Sequence, residues 1–326
     1  MKATAQAPSN IAFIKYWGKR DDALRIPSNS SISMNLSGAT TTTTVEFSSH
    51  FSEDSVELVG DKFSAAEKQK VIDHVDRIRK RAKSTNRVKV KTKNTFPRGA
   101  GIASSASGFA ALTEAGCKAA DLRLSQQELT VLARIGSGSA CRSIPDGFVK
   151  WEAGTTSQSS FAYSLYPNTY WDLRDILVIV DQKQKSVSTT AGMEAVATSP
   201  FWPLRILGID ARLTRVENAL QIKDFNMLGE TIEEDCISMH AVAITQKPSL
   251  FYWSEATIEC IRAVIRWRKA GLPVFFTIDA GPNVHLICEG RNEKHVTDGL
   301  KETSHIQSVL VNKPSAGARI VDAHLF

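Results

Sequence analysis

The sequence predicts an α+β fold of two lobes closing on a cleft, and three observations carry the prediction. The chain has 326 residues, enough for two fused units that each bury a core. Strand-like and helical segments follow one another in the mixed order of an α+β protein. A glycine- and serine-rich loop, Pro97 to Gly108, runs directly into an apolar helix. The lobe boundary is expected near Asp175 to Gln184, giving an N-terminal lobe of residues 1–178 and a C-terminal lobe of 179–326.

Thr4 to Trp17 mixes small, apolar and β-prone residues around Pro8 and reads as a strand, a turn and a second short apolar segment. Ser30 to Phe47 alternates and is rich in Thr and Val, the pattern of a β-hairpin or meander. From Ala65 to Ala82, Val71, Ile72, Val75 and Ile78 recur at helical spacing and predict an amphipathic helix with a basic far end. Val88 and Val90, interleaved with Lys89 and Lys91, mark a strand. Phe109 to Ala115 has the composition of a buried helix, and Leu124 to Ile135 opens on Ser125 with Glu128 three positions later, a capping box. Ile176 to Val180 is a short apolar strand. Helices follow around Leu213 to Leu220, Phe225 to Ile237 and Ser254 to Trp267, then strands at Val274 to Ile278 and His285 to Cys288.

A hydrophobic fraction of 42% and a charged fraction of 23% are those of an ordinary globular chain. No apolar run approaches the roughly 18 residues of a membrane span, and Met1 to Ala12 lacks a basic-then-apolar signal pattern. A soluble, cytoplasmic protein is therefore expected, with no membrane partner. The five cysteines are scattered without a C-x-x-C pair or a histidine at metal spacing, so free thiols are expected rather than zinc ligands. A net charge of +6 suits any polyanion and does not choose among them.

Pro97 to Gly108 sets small residues and hydroxyls where a helix begins. Unpaired N–H groups point outward there and the macrodipole adds about half a positive charge, which suits a triphosphate. Read alone, the stretch is equally a small-residue helix start packed tightly, because it is not the G-x-x-x-x-G-K-[ST] pattern.

The same stretch resembles the phosphate-binding motif of the GHMP kinases, in the version carried by mevalonate diphosphate and phosphomevalonate decarboxylases. Four further blocks stand in that family's order: Ala7 to Asp21, Pro27 to Ser33, Gly136 to Ser143 and Thr277 to Asn283, with weaker likeness at Ser188 to Met193 and Asp235 to His240. The resemblance implies a GHMP-kinase-like two-lobed fold, a ribosomal-protein-S5-like N-terminal lobe and a ferredoxin-like C-terminal lobe around a deep cleft. It implies a lyase that uses ATP and Mg²⁺ to phosphorylate the C3 hydroxyl of a 5-phosphorylated mevalonate and then expels phosphate and CO₂. It also implies a homodimer and a small-molecule partner rather than nucleic acid.

By the same resemblance Arg142 grips the C1 carboxylate, for which a planar guanidinium is suited, while Asn10, Ser137 and Ser139 supply neighbouring contacts. Asp279 orients or deprotonates the hydroxyl. Gly99, Gly101, Ala103, Ser104, Ser105, Ser107 and Gly108 take the ATP phosphates, with Ser105 near Mg²⁺. Read without the family, Arg142 is a surface arginine in a Gly-Ser turn and Asp279 a cap of the Gly281-Pro282-Asn283 turn. Lys15, inside Phe13-Ile14-Lys15-Tyr16-Trp17, either meets a carboxylate or phosphate across the lobes or snorkels from a strand edge. Lys15 and Asp279 together favour decarboxylation over phosphorylation alone.

Tyr16, Lys19, Thr189 and Thr190 match the residues that face the substrate's 5-phosphates in the family. Three departures lower the cationic charge expected there: Asp146 after Arg142-Ser143-Ile144-Pro145, Asp73 where the family's helix carries an arginine, and Ile135 at a position commonly basic. These favour mevalonate 5-phosphate, giving isopentenyl phosphate, with mevalonate 5-diphosphate as the alternative. Two readings from other classes are a nucleic-acid surface on the basic run Arg77 to Lys93, which lacks interleaved aromatics, and an inactive adaptor, against which Lys15, Arg142 and Asp279 all speak.

Overall fold

The computed structural model describes residues 1–96, 104–181 and 189–326, to which all that follows refers. The chain opens with β1 (Lys2–Ile14), the small hairpin β2 (Lys19–Asp21) and β3 (Ile26–Pro27), the long strand β4 (Ser31–Ser48) and β5 (Ser55–Leu58). Next come α1 (Ala65–Arg81), β6 (Arg87–Asn94), α2 (Ser104–Ala119), α3 (Gln126–Gly136), β7 (Phe148–Trp151) and β8 (Ala162–Tyr166). The second half holds β9 (Leu173–Ile179), α4 (Thr189–Glu194), α5 (Trp202–Leu207), α6 (Ile209–Ile222), α7 (Phe225–Thr245), α8 (Glu255–Lys269) and β10 (Phe275–Thr277). It closes with β11 (Val284–Glu289), α9 (Glu293–Lys301), β12 (Ser308–Asn312) and β13 (Arg319–Val321).

One sheet runs β13-β1-β4-β6-β5, with β7 on β4 and β8 on β7; a second runs β10-β11-β9-β12. The α+β prediction holds, with one refinement to the idea of separate cores. Ile11 and Phe13 of β1 and Met34 of β4 share an apolar cluster with Leu177 of β9 and Leu286 of β11, so the largest core bridges the two sheets. A second cluster, including Val45, Val75, Ile78 and Leu112, lies between the first sheet and α1 and α2.

Three elements differ from expectation. Thr4 to Ile14 belongs to one strand: the register shifts between Pro8 and Ser9, so the missing proline N–H falls at a bulge rather than in a turn. Ser31 to Ser48 is likewise a single strand, because it finds its partners in β1 on one side and in β6 and β7 on the other instead of folding back. α7 continues to Thr245, since Met239, Val242 and Ala243 prolong its buried face. The expected capping box of Ser125 and Glu128 is present, and Ser64 with Glu67 makes a second at the start of α1.

The basic run is a solvated face. Arg79 pairs with Asp54 at 2.9 Å, Lys91 with Glu57 at 2.9 Å, and Arg87 and Lys93 are exposed. All five cysteines are free and buried, and among the described residues no three acidic, histidine or cysteine side chains gather as a metal site. No helix among them is long and apolar enough to cross a membrane.

Candidate active site

β1 has its last ladder partner at Ile14, and the chain then turns inward. The Lys15 side chain is 2% exposed, a costly position for an ammonium without an acceptor. Its Nζ donates to Asp279 Oδ1 at 2.6 Å. Asp279 follows β10 and is 26% exposed, so the pair is accessible on the carboxylate side. The residue before it is held at both ends. Ile278 N–H donates to Cys236 Sγ at 3.2 Å, and the Ile278 carbonyl faces His240 Nε2 at 3.2 Å. Burial pulls the His240 pKa down to about 3, so at neutral pH the uncharged ring donates from Nε2.

Arg142 sits in the 3₁₀ turn Gly138–Ser143 that follows α3. It is buried, with Nη1 donating to Ser31 Oγ at 2.7 Å and Nη2 to Asn10 Oδ1 at 3.2 Å. Asn10 in turn donates to Ser143 Oγ at 2.8 Å and to the Ser139 carbonyl at 3.2 Å, so it orients the guanidinium. Burial lowers the Arg142 pKa, and the Asp279 carboxylate is among the charges that oppose this. Asp279, near the end of the chain, thus meets the ammonium from its beginning at 2.6 Å and bears electrostatically on the guanidinium from its middle.

Tyr16 lies against Gly138, where any Cβ would come within 2.6 Å of its ring, and packs edge-on to Trp151 at 4.7 Å. Its hydroxyl is buried and meets no hydrogen-bond partner among the described residues, and burial pushes its pKa up. The Lys19 side chain is 6% exposed and pairs with the exposed Asp22. Ser137 Oγ donates to Ser105 Oγ at 3.3 Å, joining the turn before Arg142 to the first turn of α2. Thr189 and Thr190 open α4, whose Gly192 closes on Tyr252 and Trp17: a Cβ there would lie 2.8 Å from the Tyr252 hydroxyl.

Gly99, Gly101 and Ala103 lie outside the described residues. Of the other loop residues, Ser104, Ser105 and Gly108 are at least partly accessible, whereas Ser107 is buried with its hydroxyl 2.7 Å from Thr41 Oγ1 and serves packing. The first turn of α2 carries no acidic residue to repel an anion. Beside it a cavity of about 210 Å³ is bounded by Ser105 and Lys70 and walled by Val56, Phe63, Val71 and Leu112. Those walls suit a flat apolar base attached to phosphates, a feature with no local motif in the sequence.

Two of the three departures have hydrogen-bond partners within the protein. Asp146 accepts the Gly317 N–H at 2.6 Å and fastens the return of the chain toward β13. Asp73 is exposed on α1 and accepts from Gln69 at 2.8 Å. Ile135 offers its carbonyl to Arg25 Nε at 3.0 Å, and Arg134 Nε holds the Leu24 carbonyl at 3.0 Å, so the turn before β3 is anchored on α3. Arg25, at φ 51°, is the largest charge acting to lower the Tyr16 pKa. Sequence reading missed it, because an arginine beside Ile26-Pro27 has no distinctive local pattern.

Two family models match the chain: the diphosphomevalonate decarboxylase-like N-terminal domain over residues 7–162 and the mevalonate 5-diphosphate decarboxylase C-terminal domain over residues 176–319. The diphosphomevalonate decarboxylase of Candida albicans is 35% identical over 322 residues, covering 93% of this chain and 89% of that protein. The crystal structure of mevalonate diphosphate decarboxylase from Staphylococcus aureus superposes with a TM-score of 0.94 at 38% identity, over 98% of each chain. MDDEF in complex with MVAPP, AMPPCP and magnesium superposes with a TM-score of 0.93 at 36% identity, over 99% of each chain.

Proposed function

The chain belongs to the diphosphomevalonate decarboxylase family, and on that premise we propose that it converts mevalonate 5-diphosphate to isopentenyl diphosphate with Mg²⁺ and ATP, releasing ADP, phosphate and CO₂. The observation that carries the reading is the Lys15–Asp279 contact at 2.6 Å within electrostatic reach of the buried Arg142. This is the set of groups that the reaction needs around a small carboxylate-bearing alcohol.

ATP with Mg²⁺, when bound, supplies the phosphoryl group that turns the tertiary hydroxyl into a leaving group. The accessible serines Ser104 and Ser105 and the open first turn of α2 fit its phosphates, and the cavity beside them fits its base. Asp279, on the open side of its ion pair, orients the C3 hydroxyl and accepts its proton. Lys15, donating to it at 2.6 Å, keeps that carboxylate aimed. Arg142, fixed by Asn10 and Ser31, holds the C1 carboxylate so that its electrons flow toward C3 as CO₂ leaves. The division into a lobe bearing the phosphate loop and a lobe bearing the aspartate is part of the same proposal, with the boundary moved from residue 178 to before β9, which lies inside the second sheet, and with β13 returning to the first.

The diphosphate replaces the monophosphate that the sequence favours. The curated relative and the solved structures named above are diphosphomevalonate decarboxylases, and MDDEF was solved with MVAPP. Asp146 and Asp73 spend their carboxylates on Gly317 and Gln69, which removes most of the reason to expect a weakly cationic pocket. Arg25 adds a guanidinium within electrostatic reach of Tyr16. Measuring kcat/KM for both substrates tests this. A preference for the diphosphate of at least about tenfold is expected, in line with one added charge-assisted contact, and a preference for the monophosphate refutes it.

A further inference from the structure

We propose that Asp235, braced by Arg205, is a positioning residue that sets Lys15 against Asp279, with α7 as the common mount for both partners. The inference rests on reading Lys15 and Asp279 as the working pair.

Past the end of β1, the peptide groups of Lys15 are pinned by side chains. Lys15 N–H donates to Asp235 Oδ2 at 2.7 Å. The Lys15 carbonyl accepts from Asn29 Nδ2 at 3.0 Å and from Arg205 Nη2 at 3.3 Å. The Asp235 and Arg205 side chains are both 0% exposed. Asp235 takes Arg205 Nη1 at 3.1 Å on Oδ1 and Arg205 Nη2 at 3.3 Å on Oδ2, and Arg212 Nε adds a further bond to Oδ1 at 3.0 Å. Two guanidiniums and one amide thus fill the acceptor sites of a single buried carboxylate, which fixes its plane and hence the direction of the Lys15 N–H.

The same helix grips the other partner. Glu233 Oε1 accepts the Phe276 N–H at 3.0 Å, and Cys236 and His240 hold the two ends of Ile278. Residues 233 to 240 of α7 therefore set the distance between the strand that ends before Lys15 and the strand that ends before Asp279. Misplacing a reacting group by about 1 Å costs on the order of 100-fold in rate, so a fixed mount of this kind acts on turnover rather than on nucleotide affinity.

Asp235→Asn keeps the side chain's volume but turns an amide N–H toward donors that a carboxylate satisfied. The test compares Asp235→Asn, Arg205→Lys, Lys15→Met and the two double variants with Lys15→Met, reading kcat, KM for ATP and the far-UV spectrum. Asp235→Asn is expected to lower kcat by about 30- to 100-fold, with KM for ATP within about threefold. In the Lys15→Met background the same change is expected to lower kcat by less than about twofold, because residues acting as a unit are not additive. Arg205→Lys, which keeps the charge but cannot bridge both groups, is expected to lose about tenfold and to lose nothing further beside Lys15→Met. Wild-type kcat in Asp235→Asn, or an equal loss in both backgrounds, overturns the proposal. If Asp235→Asn does not fold, the Arg205→Lys pair decides by the same comparison. A Lys15→Met protein with wild-type turnover instead overturns the reading of the pair on which the proposal rests.

Discussion

Lys15 and Asp279 are 264 positions apart in sequence, and their side chains meet at 2.6 Å. The contact is one-sided: the ammonium is sealed in protein while the carboxylate keeps a quarter of its surface open. On the proposed function, the buried ammonium holds the acid, and the exposed side of the carboxylate is the one that meets the hydroxyl.

Arg142 is expected to act on both binding and turnover. Its truncation to Gln leaves Asn10 and Ser31 in place but removes a charge-assisted grip, a loss of about 1.5–3 kcal/mol. Steady-state kinetics should give a fall in kcat/KM of roughly 10- to 100-fold, while nucleotide binding in the absence of the second substrate stays unchanged.

Arg25→Ala is expected to lower kcat/KM for mevalonate 5-diphosphate by about tenfold or more and to affect mevalonate 5-phosphate less. Parallel kinetics on the two substrates check this, and an equal effect on both assigns Arg25 to the shape of the turn before β3.

Asp146→Ala is expected to leave the ratio of the two substrates within about twofold and to lower the unfolding midpoint. Its loss removes one hydrogen bond to the Gly317 N–H, of order 1 kcal/mol. A large gain in diphosphate use by this variant would return Asp146 to the anion site.

His74 and His240 make stability depend on pH. Burial pulls each pKa down to about 3 in the folded protein, below the value near 6.5 of an unfolded histidine. Between these values the unfolded chain binds more protons, so stability rises with pH there. The contribution is complete above about pH 6.5 and is lost as pH falls toward 3, at about 1.4 kcal/mol per pH unit for each histidine. Denaturant titrations from pH 7 to pH 4 should show this slope, and His74→Phe should reduce it.

Much of the site is legible in the sequence because its parts sit in short runs with unusual chemistry. A lysine among apolar residues, an arginine in a Gly-Ser turn and an aspartate at the end of an apolar strand each stand out locally. What joins them does not. Asp235 and Arg205 lie on helices whose periodicity marks only which face is buried, so a charged residue on that face looks like an exception until its partners arrive from β1. β1 and β4 depart from the sequence expectation for a related reason: a proline and a change of alternation look like turns when the neighbouring strands that absorb them are out of view. Asp73 and Asp146 lower the cationic charge expected from the sequence, but charge alone gives no direction to a side chain, and in the structure both carboxylates accept from protein donors.

The most direct measurement follows CO₂ release from C1-labelled mevalonate 5-diphosphate in the presence of Mg²⁺ and ATP, for the wild type and for Asp279→Asn. One CO₂ for each ADP formed is expected in the wild type, with a loss of about 1,000-fold or more in the variant while its fold and nucleotide binding persist. ADP formation without CO₂, or an Asp279→Asn protein that turns over at the wild-type rate, contradicts the account.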